Sequence, residues 1–190
     1  MVWAKNGTTN TLTGTADDCD ITDLGGDTFN IFLNHKITSG DTSINYTFNN
    51  DSTATYAIRL SVNGGTDGAY ANRSKLDFWQ ELTDIFEVMY AVGISSEEKL
   101  IINFTVGQDT AGAGTAPSRR EHVAKWVNTS DTINRIDLNN DQSGDYAVGT
   151  NMSALGSDGV ESLNVQDGAV YYDTDLNKSY VLYNGSWTEL

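Results

Sequence analysis

The sequence predicts an all-β protein: an antiparallel β-sandwich of jelly-roll type followed by a small C-terminal β-meander. Three observations carry this expectation. Apolar residues recur at every second position in several short runs, turn-forming clusters separate those runs, and only one segment offers a competing helical period.

In TFNIFL the repeat is Phe29, Ile31 and Leu33, and in SINYTF it is Ile44, Tyr46 and Phe48. TYAIRLSV repeats through Tyr56, Ile58, Leu60 and Val62, and LIINFTV through Leu100, Ile102, Phe104 and Val106. Strict alternation implies one face on a core and one in water, as in antiparallel sheets. The clusters LGGD, NNDS, NGGTDG, GQDTAGAGTAPS and NNDQSGD punctuate the runs, and FNNDSTATY reads as a hairpin loop between two of them. WQELTDIFEVMYAVG is ambiguous: Leu82, Ile85, Phe86 and Met89 have helical spacing, while Phe86, Val88, Tyr90 and Val92 have strand spacing. A strand over Ile85 to Val92 is expected there.

These patterns divide the chain into a sandwich over residues 1–158, a linker over 159–167 and a meander over 168–190. In the meander Val170 and Tyr172 oppose Ala169 and Tyr171, and Tyr180 and Leu182 oppose Val181 and Tyr183. Both faces are apolar or aromatic, yet about thirty residues cannot form a core alone. The tail therefore packs either on its own sandwich or on a neighbouring subunit. Tyr171, Tyr172, Tyr180, Tyr183 and Trp187 are its candidate contact residues.

At 190 residues the chain can bury a core without disulfides. Cys19 is alone, which excludes an intramolecular disulfide and a cysteine-based zinc site, and it reads as a small, partly buried side chain. MVWAKNGTTN has no basic or apolar leader, and no later run approaches a membrane span, so neither secretion nor membrane insertion is expected. The formal charge of −15 repels phosphate backbones and no basic stripe offsets it, which argues against nucleic acid. Either a loop-rich β protein or a salty environment accounts for the acidity.

Enzymatic motifs are missing: there is no GxSxG, HExxH, CxxC, P-loop or GxGxxG. His122 reads as a strand residue alternating with Ala124 and Trp126, and His35 has no partner in a recognisable pattern. Among the acids, Glu81, Glu87, Glu97, Glu98 and Glu121 could be paired for glycoside hydrolysis, but nothing selects two of them. The protein is expected not to be an enzyme.

DLNNDQSGD places Asp137, Asn139, Asp141 and Asp145 at offsets resembling positions 1, 3, 5 and 9 of an EF-hand loop. Gln142 stands where the loop needs Gly, and Val148 where it needs Glu. DTDLNKS offers Asp173, Asp175 and Asn177 beside the unfavourable Lys178. Turns made of turn-forming residues are the bland alternative to a weakly held Ca2+, and no other cofactor is expected. Nine N-x-S/T sequons occur, and Asn45 and Asn103 fall on faces expected to point outward. Trp3, Trp79, Trp126 and Trp187 fit core or interface positions better than sugar platforms.

GAGTAPSRREHVAKWVNTSDTINRIDLNNDQSGDYAVGTNMSALGSD resembles a segment in structural proteins of tailed viruses that infect bacteria and archaea. Its features are a Gly/Ala loop closed by PSR, a strand with KW, then INRID, a GD turn and a strand ending G-x-D. YTFNNDSTATYAIRLSVNGG is similar to a hairpin of the same proteins, and YYDTDLNKSYVLYNGSWTEL looks like the short tail of virion appendage proteins. The resemblance runs from about Lys36 to Leu190. It implies a non-enzymatic β-sandwich on the virion exterior: a capsid decoration, turret, spike or fibre-tip module. Such a protein is expected to be assembled in the host cytoplasm as a homo-oligomer, trimer or higher, in contact with other virion proteins. The alternative is a receptor-binding adhesion module that recognises host surface glycan or an S-layer.

Overall fold

Asparagine makes many of the chain reversals. In the computed structural model, Asn49, Asn50, Asn63, Asn72, Asn177 and Asn184 take φ between 49° and 59°, a left-handed region that Asn tolerates better than most residues. Two successive positive φ values make tight turns at Asn49–Asn50 and Asn63–Gly64. Asp51 N donates to Phe48 O (2.9 Å) across the first, and Gly65 N to Val62 O (2.8 Å) across the second. The structure describes residues 3–81, 83–108, 110–158, 168–184 and 186–190, and the backbone alone for 79–81. The expected linker, 159–167, lies outside the described residues, as do Leu82 and the side chains of Trp79 and Glu81.

The chain divides into two compact units, one spanning Trp3–Gly159 and the other carrying the strands up to Leu190. The first contains β1 (Ala4–Lys5), β2 (Asn10–Thr11), β3 (Phe29–Lys36), β4 (Thr42–Phe48), β5 (Tyr56–Val62) and β6 (Gly68–Arg73). It continues with β7 (Leu76–Glu81), β8 (Ile85–Val92), β9 (Lys99–Gly107), β10 (Ser118–Trp126), β11 (Ile136–Asn139) and β12 (Asn151–Ser157). The second carries β13 (Val170–Asp173), β14 (Lys178–Tyr183) and β15 (Ser186–Glu189). The protein is all-β, with no helix among the described residues, and hence none long and apolar enough to cross a membrane. The ambiguous segment is the strand β8.

A nine-stranded antiparallel sheet runs β1-β12-β3-β8-β9-β10-β5-β6, with β2 also on β12. A three-stranded sheet runs β11-β4-β7. Isolated bridges Asp18↔Asn139 and Ile21↔Ile136 lay the segment around Cys19 along β11. The two sheets share one core. Phe32 of β3 meets Phe48 of β4 at 6.2 Å between ring centroids, Phe48 meets Trp126 at 5.7 Å, and Phe78 stacks on His122 at 4.4 Å. Cys19, Ile21, Leu76, Ile136 and Tyr146 are buried in the same core. Burial pushes the Cys19 thiol up to about 11, and the Asp20 charge adds to it.

Three expectations are corrected here. First, FNNDSTATY is no hairpin loop. β4 pairs with β11 and β7, β5 pairs with β10 and β6, and the stretch carries the chain from one sheet to the other. The crossing is pinned by side chains. Tyr56 Oη donates to Asp51 O (2.9 Å) and accepts from Phe48 N (2.9 Å), and Asp51 accepts from Trp126 Nε1 (2.8 Å) and from Thr53 and Thr55. Burial of Asp51 works against its charge, but those donors hold the carboxyl down at about 2.

Second, β4 is buried on both faces. Ile44, Tyr46 and Phe48 enter the core, while Ser43 and Thr47 donate to Asp141 (2.7 Å) and Asp137 (3.2 Å) on the other side. Third, the apolar repeats of β3 and β9 do not face the core. The buried face of β3 is Asn30, Phe32, Asn34 and Lys36, and that of β9 is Lys99, Ile101, Asn103 and Thr105.

Trp126 sits where both sheets and the Asp51 corner converge, and its ring also stacks on Tyr56 with centroids 6.3 Å apart. Truncating a buried aromatic removes transfer energy and leaves a cavity. Trp126→Ala is expected to lower stability by about 3–5 kcal/mol, read as an earlier urea midpoint. A shift under about 1 kcal/mol would remove Trp126 from its place as the pivot of the core.

Candidate functional site

The inner face of the nine-stranded sheet carries a polar seam. The register places Asn34 beside Glu87, Glu87 beside Thr105, and Asn103 beside His122. Glu87 Oε2 accepts from Thr105 Oγ1 (2.9 Å) and Asn103 Nδ2 (3.2 Å), and Asn103 Nδ2 lies 3.2 Å from His122 Nδ1. Asn34 Nδ2 donates to Tyr46 Oη (3.0 Å) from across the core, and Lys36 Nζ donates to Thr42 Oγ1 (2.8 Å). Burial pushes the Glu87 carboxyl up to about 7 against donors on Tyr46, Thr105 and Asn103 and the Lys36 charge. Burial likewise pushes the His122 imidazole down to about 4, aided by the Arg120 charge. Both side chains are 1% exposed, so no substrate reaches them in this structure. The seam is satisfied only in part, since Asn34 Oδ1, Glu87 Oε1 and Asn103 Oδ1 have no hydrogen-bond partner among the described residues, and buried polar groups cost least when paired.

The outer face of the same sheet has the opposite character. Leu100, Ile102, Phe104 and Val106 of β9 point to solvent, with Leu100 60% exposed and Phe104 51%. Phe86 and Tyr90 of β8 and Val123 of β10 are exposed beside them. Register makes these residues one surface: Leu155, Ile31, Tyr90, Ile102 and Val123 form a single row across five strands. Scattered apolar residues on a surface are ordinary, but contiguous apolar areas mark contact sites. Beyond β10 the face ends in a shallow groove of about 450 Å³ lined by Arg59, Tyr70, Leu100, Val123 and Lys125. Arg59 pairs there with Asp67 (3.6 Å), and Arg73 lies over the Tyr70 ring (6.0 Å).

The candidate cation ligands are engaged by the protein. Asp137 accepts from Arg135 and from Thr47 Oγ1 (3.2 Å). Asn139 donates to Asp18 (2.7 Å), and Asp141 accepts from Lys75, Ser43 and Gln142. Burial opposes the Asp141 charge, yet those donors hold its carboxyl well below the usual range. Asp145 contributes its carbonyl to Ser39 (3.0 Å). Among the described residues, no group of three or more His, Cys, Asp or Glu is arranged to hold a metal. In the second loop, Asp173 Oδ1 accepts from Asp175 N and Leu176 N (both 3.0 Å) and closes a turn, while Lys178 pairs with Glu189 (2.7 Å). Arg135 also reaches Asp20 (3.1 Å), whose carboxyl is raised to about 6 by burial and then by Asp137. The two sequons expected to face outward do not: Asn45 and Asn103 are buried.

The meander is ordered β13-β14-β15, with register Tyr171↔Tyr180 and Leu182↔Trp187. Tyr171, Tyr180 and Trp187 therefore share one face. The Tyr rings stack with centroids 5.0 Å apart, and Trp187 meets Tyr171 edge-on at 4.7 Å. Tyr172 and Tyr183 lie on the opposite face, both exposed. Of the other tryptophans, Trp126 is core and Trp3 is exposed.

No family model matches the chain, and no curated protein matches it. Among solved structures the chain is similar at 11% identity to Scytalido-glutamic peptidase with a peptide based transition state analog. That alignment covers 97% of this chain and 84% of the other, with a TM-score of 0.25, a level that carries no argument about fold or activity.

The seam makes stability depend on pH in two opposing ways. Between about pH 4.5 and 7 the folded chain keeps a proton on Glu87 that the unfolded chain has lost, so this contribution falls as pH rises. Between about 6.5 and 4 the unfolded chain protonates a histidine that the fold keeps neutral, so the His122 contribution falls as pH falls. Glu87→Gln removes the first effect alone. Its urea midpoint is expected to drop more steeply than the wild type's from pH 7 to pH 4.5, and parallel profiles would contradict a titrating Glu87.

Proposed function

We propose that the protein is a non-enzymatic structural subunit of a virion exterior, a capsid decoration or appendage module that works as a symmetric homo-oligomer. The observation that carries this reading is the outer face of the nine-stranded sheet. A sheet that turns Leu100, Ile102, Phe104 and Phe86 to solvent is built to be covered, and copies or neighbours in a particle would cover it. The aromatic meander adds a second contact element, and the resemblance over Lys36 to Leu190 supplies the viral setting. In this reading the acidic surface keeps the free subunit soluble before assembly in the host cytoplasm.

Antibody raised against the purified chain should label the outside of intact particles, and its failure to find the chain in particles would reject the viral setting. Light scattering on the purified protein should give a defined oligomer in low and high salt. Removing residues 168–190 should lower that mass or block incorporation while circular dichroism still reports a β-sandwich. Trp187→Ala should weaken the same contact by about 2 kcal/mol or more, as central interface tryptophans do.

A second reading, an adhesion module for host glycan, is favoured by the groove beside Tyr70, where one aromatic ring stands among Arg59, Asp67 and Lys125. It expects measurable binding on a glycan array that Tyr70→Ala abolishes. An array blank for the wild-type chain would remove this reading.

A further inference from the structure

We propose that the outer face of the nine-stranded sheet packs on the same face of a second copy of the chain. β8 and β9 of each copy lie at the centre, and four sheets stack in the order three, nine, nine, three strands. This names the partner of the assembly surface and rests on the subunit reading above.

The first argument is polarity. In β8 and β9 the face turned to the core interleaves Glu87, Lys99, Asn103 and Thr105 with Ile85, Met89, Ala91 and Ile101, while the face turned away is apolar throughout, with Phe86, Tyr90, Ile102 and Phe104 at its centre. A sheet with one wetted side alternates the other way. Strands that are apolar outside and hydrogen-bonded inside belong to a sheet covered on both sides.

The second argument is area. Six strands from β12 to β5, spaced about 4.8 Å apart and about eight residues long, present roughly 750 Å². A stable interface of standard size takes about 800 Å² from each partner. The apolar part alone, from β3 to Val123 of β10, is roughly 500 Å² by the same spacing, at the upper end of what a monomer ordinarily exposes.

The third argument is charge. The chain carries −15, yet the outward positions of β8 and β9 hold no charge, and the cations at the edge of the face, Arg59, Arg119 and Lys125, are paired with Asp67, Glu121 and Glu98, so the face is close to neutral. On the opposite layer Asp18 and Asp20 run beside β11, Asp137 lies on it and Asp141 follows it, with Arg135 and Lys75 paired to three of the four. Contact between outer faces therefore brings two nearly neutral surfaces together and buries no unpaired charge of β8 or β9. An isologous contact of this kind closes on itself.

Sedimentation equilibrium of the full-length chain tests the proposal, with Ile102→Glu/Phe104→Lys as the disruptive variant and Val123→Arg as a milder second one. These side chains point away from the core, so circular dichroism and the urea midpoint should stay at wild-type values. The wild type is expected as a dimer or a multiple of one, with association at least about tenfold weaker in the double variant. A variant with wild-type mass overturns the face contact while leaving the subunit reading standing. A monomeric wild type that still enters particles assigns the face to another virion protein, and overturns the second copy. A monomer that binds an apolar dye only after residues 168–190 are removed assigns the cover to the chain's own meander, which also overturns it.

Discussion

The nine-stranded sheet, in its middle strands, turns a polar seam into an otherwise apolar core and a continuous apolar strip to solvent, and the rest of the molecule is arranged around that seam. Its inner face cannot fill a core by itself, since Asn34, Lys36, Glu87, Asn103 and His122 occupy the middle of it. The missing apolar volume comes from the three-stranded sheet, through Ile44, Tyr46, Phe48, Leu76 and Phe78, and from the segment around Cys19 and Ile21. That is why β4 is buried along its whole length, and why a side-chain network at Asp51, Tyr56 and Trp126 fixes the crossing between sheets. Leaving a large apolar side chain wet forgoes about 1.5–3 kcal/mol. The outer face therefore holds a reserve of association energy that the isolated chain does not use.

Much of the architecture was legible in the sequence. Period-two alternation located β3, β4, β5 and β9, and it resolved the ambiguous segment as β8. Asn and Gly clusters marked the reversals, because Asn enters the left-handed region at little cost. Alternation cannot say which of two faces is inside, however. In LIINFTV the apolar set Leu100, Ile102, Phe104 and Val106 looks like the core face, and only register reveals that Lys99, Asn103 and Thr105 are the buried set. The signal was a polar residue recurring across neighbouring strands, Asn34, Glu87, Asn103 and His122, and it becomes visible only once the strands are paired.

The same limit explains the loops. FNNDSTATY has the turn residues of a hairpin, and Asn49 and Asn50 do make a tight turn. The chain nevertheless leaves its sheet, because Tyr56 and Asp51 tie that turn to Trp126. DLNNDQSGD has carboxylates at cation-loop offsets, but spacing does not reveal competing donors. Lys75, Ser43 and Thr47 come from distant parts of the chain and, with the neighbouring Arg135, occupy Asp137 and Asp141. Among the sequons, Asn45 and Asn103 share the composition of surface turns while lying mid-strand, where register decided their burial.

The charge of the chain and its apolar face can coexist because they occupy different layers. Packed sheets are about 10 Å apart, so two copies meeting through their outer faces would hold their three-stranded sheets roughly 30 Å apart, three such spacings. At physiological ionic strength the Debye length is about 8 Å, so the acids of one copy are screened from those of the other across several screening lengths. Net charge then bears on the solubility of the free chain, while local charge bears on which surfaces could meet. The outward positions of β8 and β9 carry no charged side chain, whereas the three-stranded layer carries Asp18, Asp20, Asp137 and Asp141 with, among the described residues, only Arg135 and Lys75 to pair them. A strongly acidic chain can thus still present a face free of charge at β8 and β9, and contact through that face would meet the least repulsion.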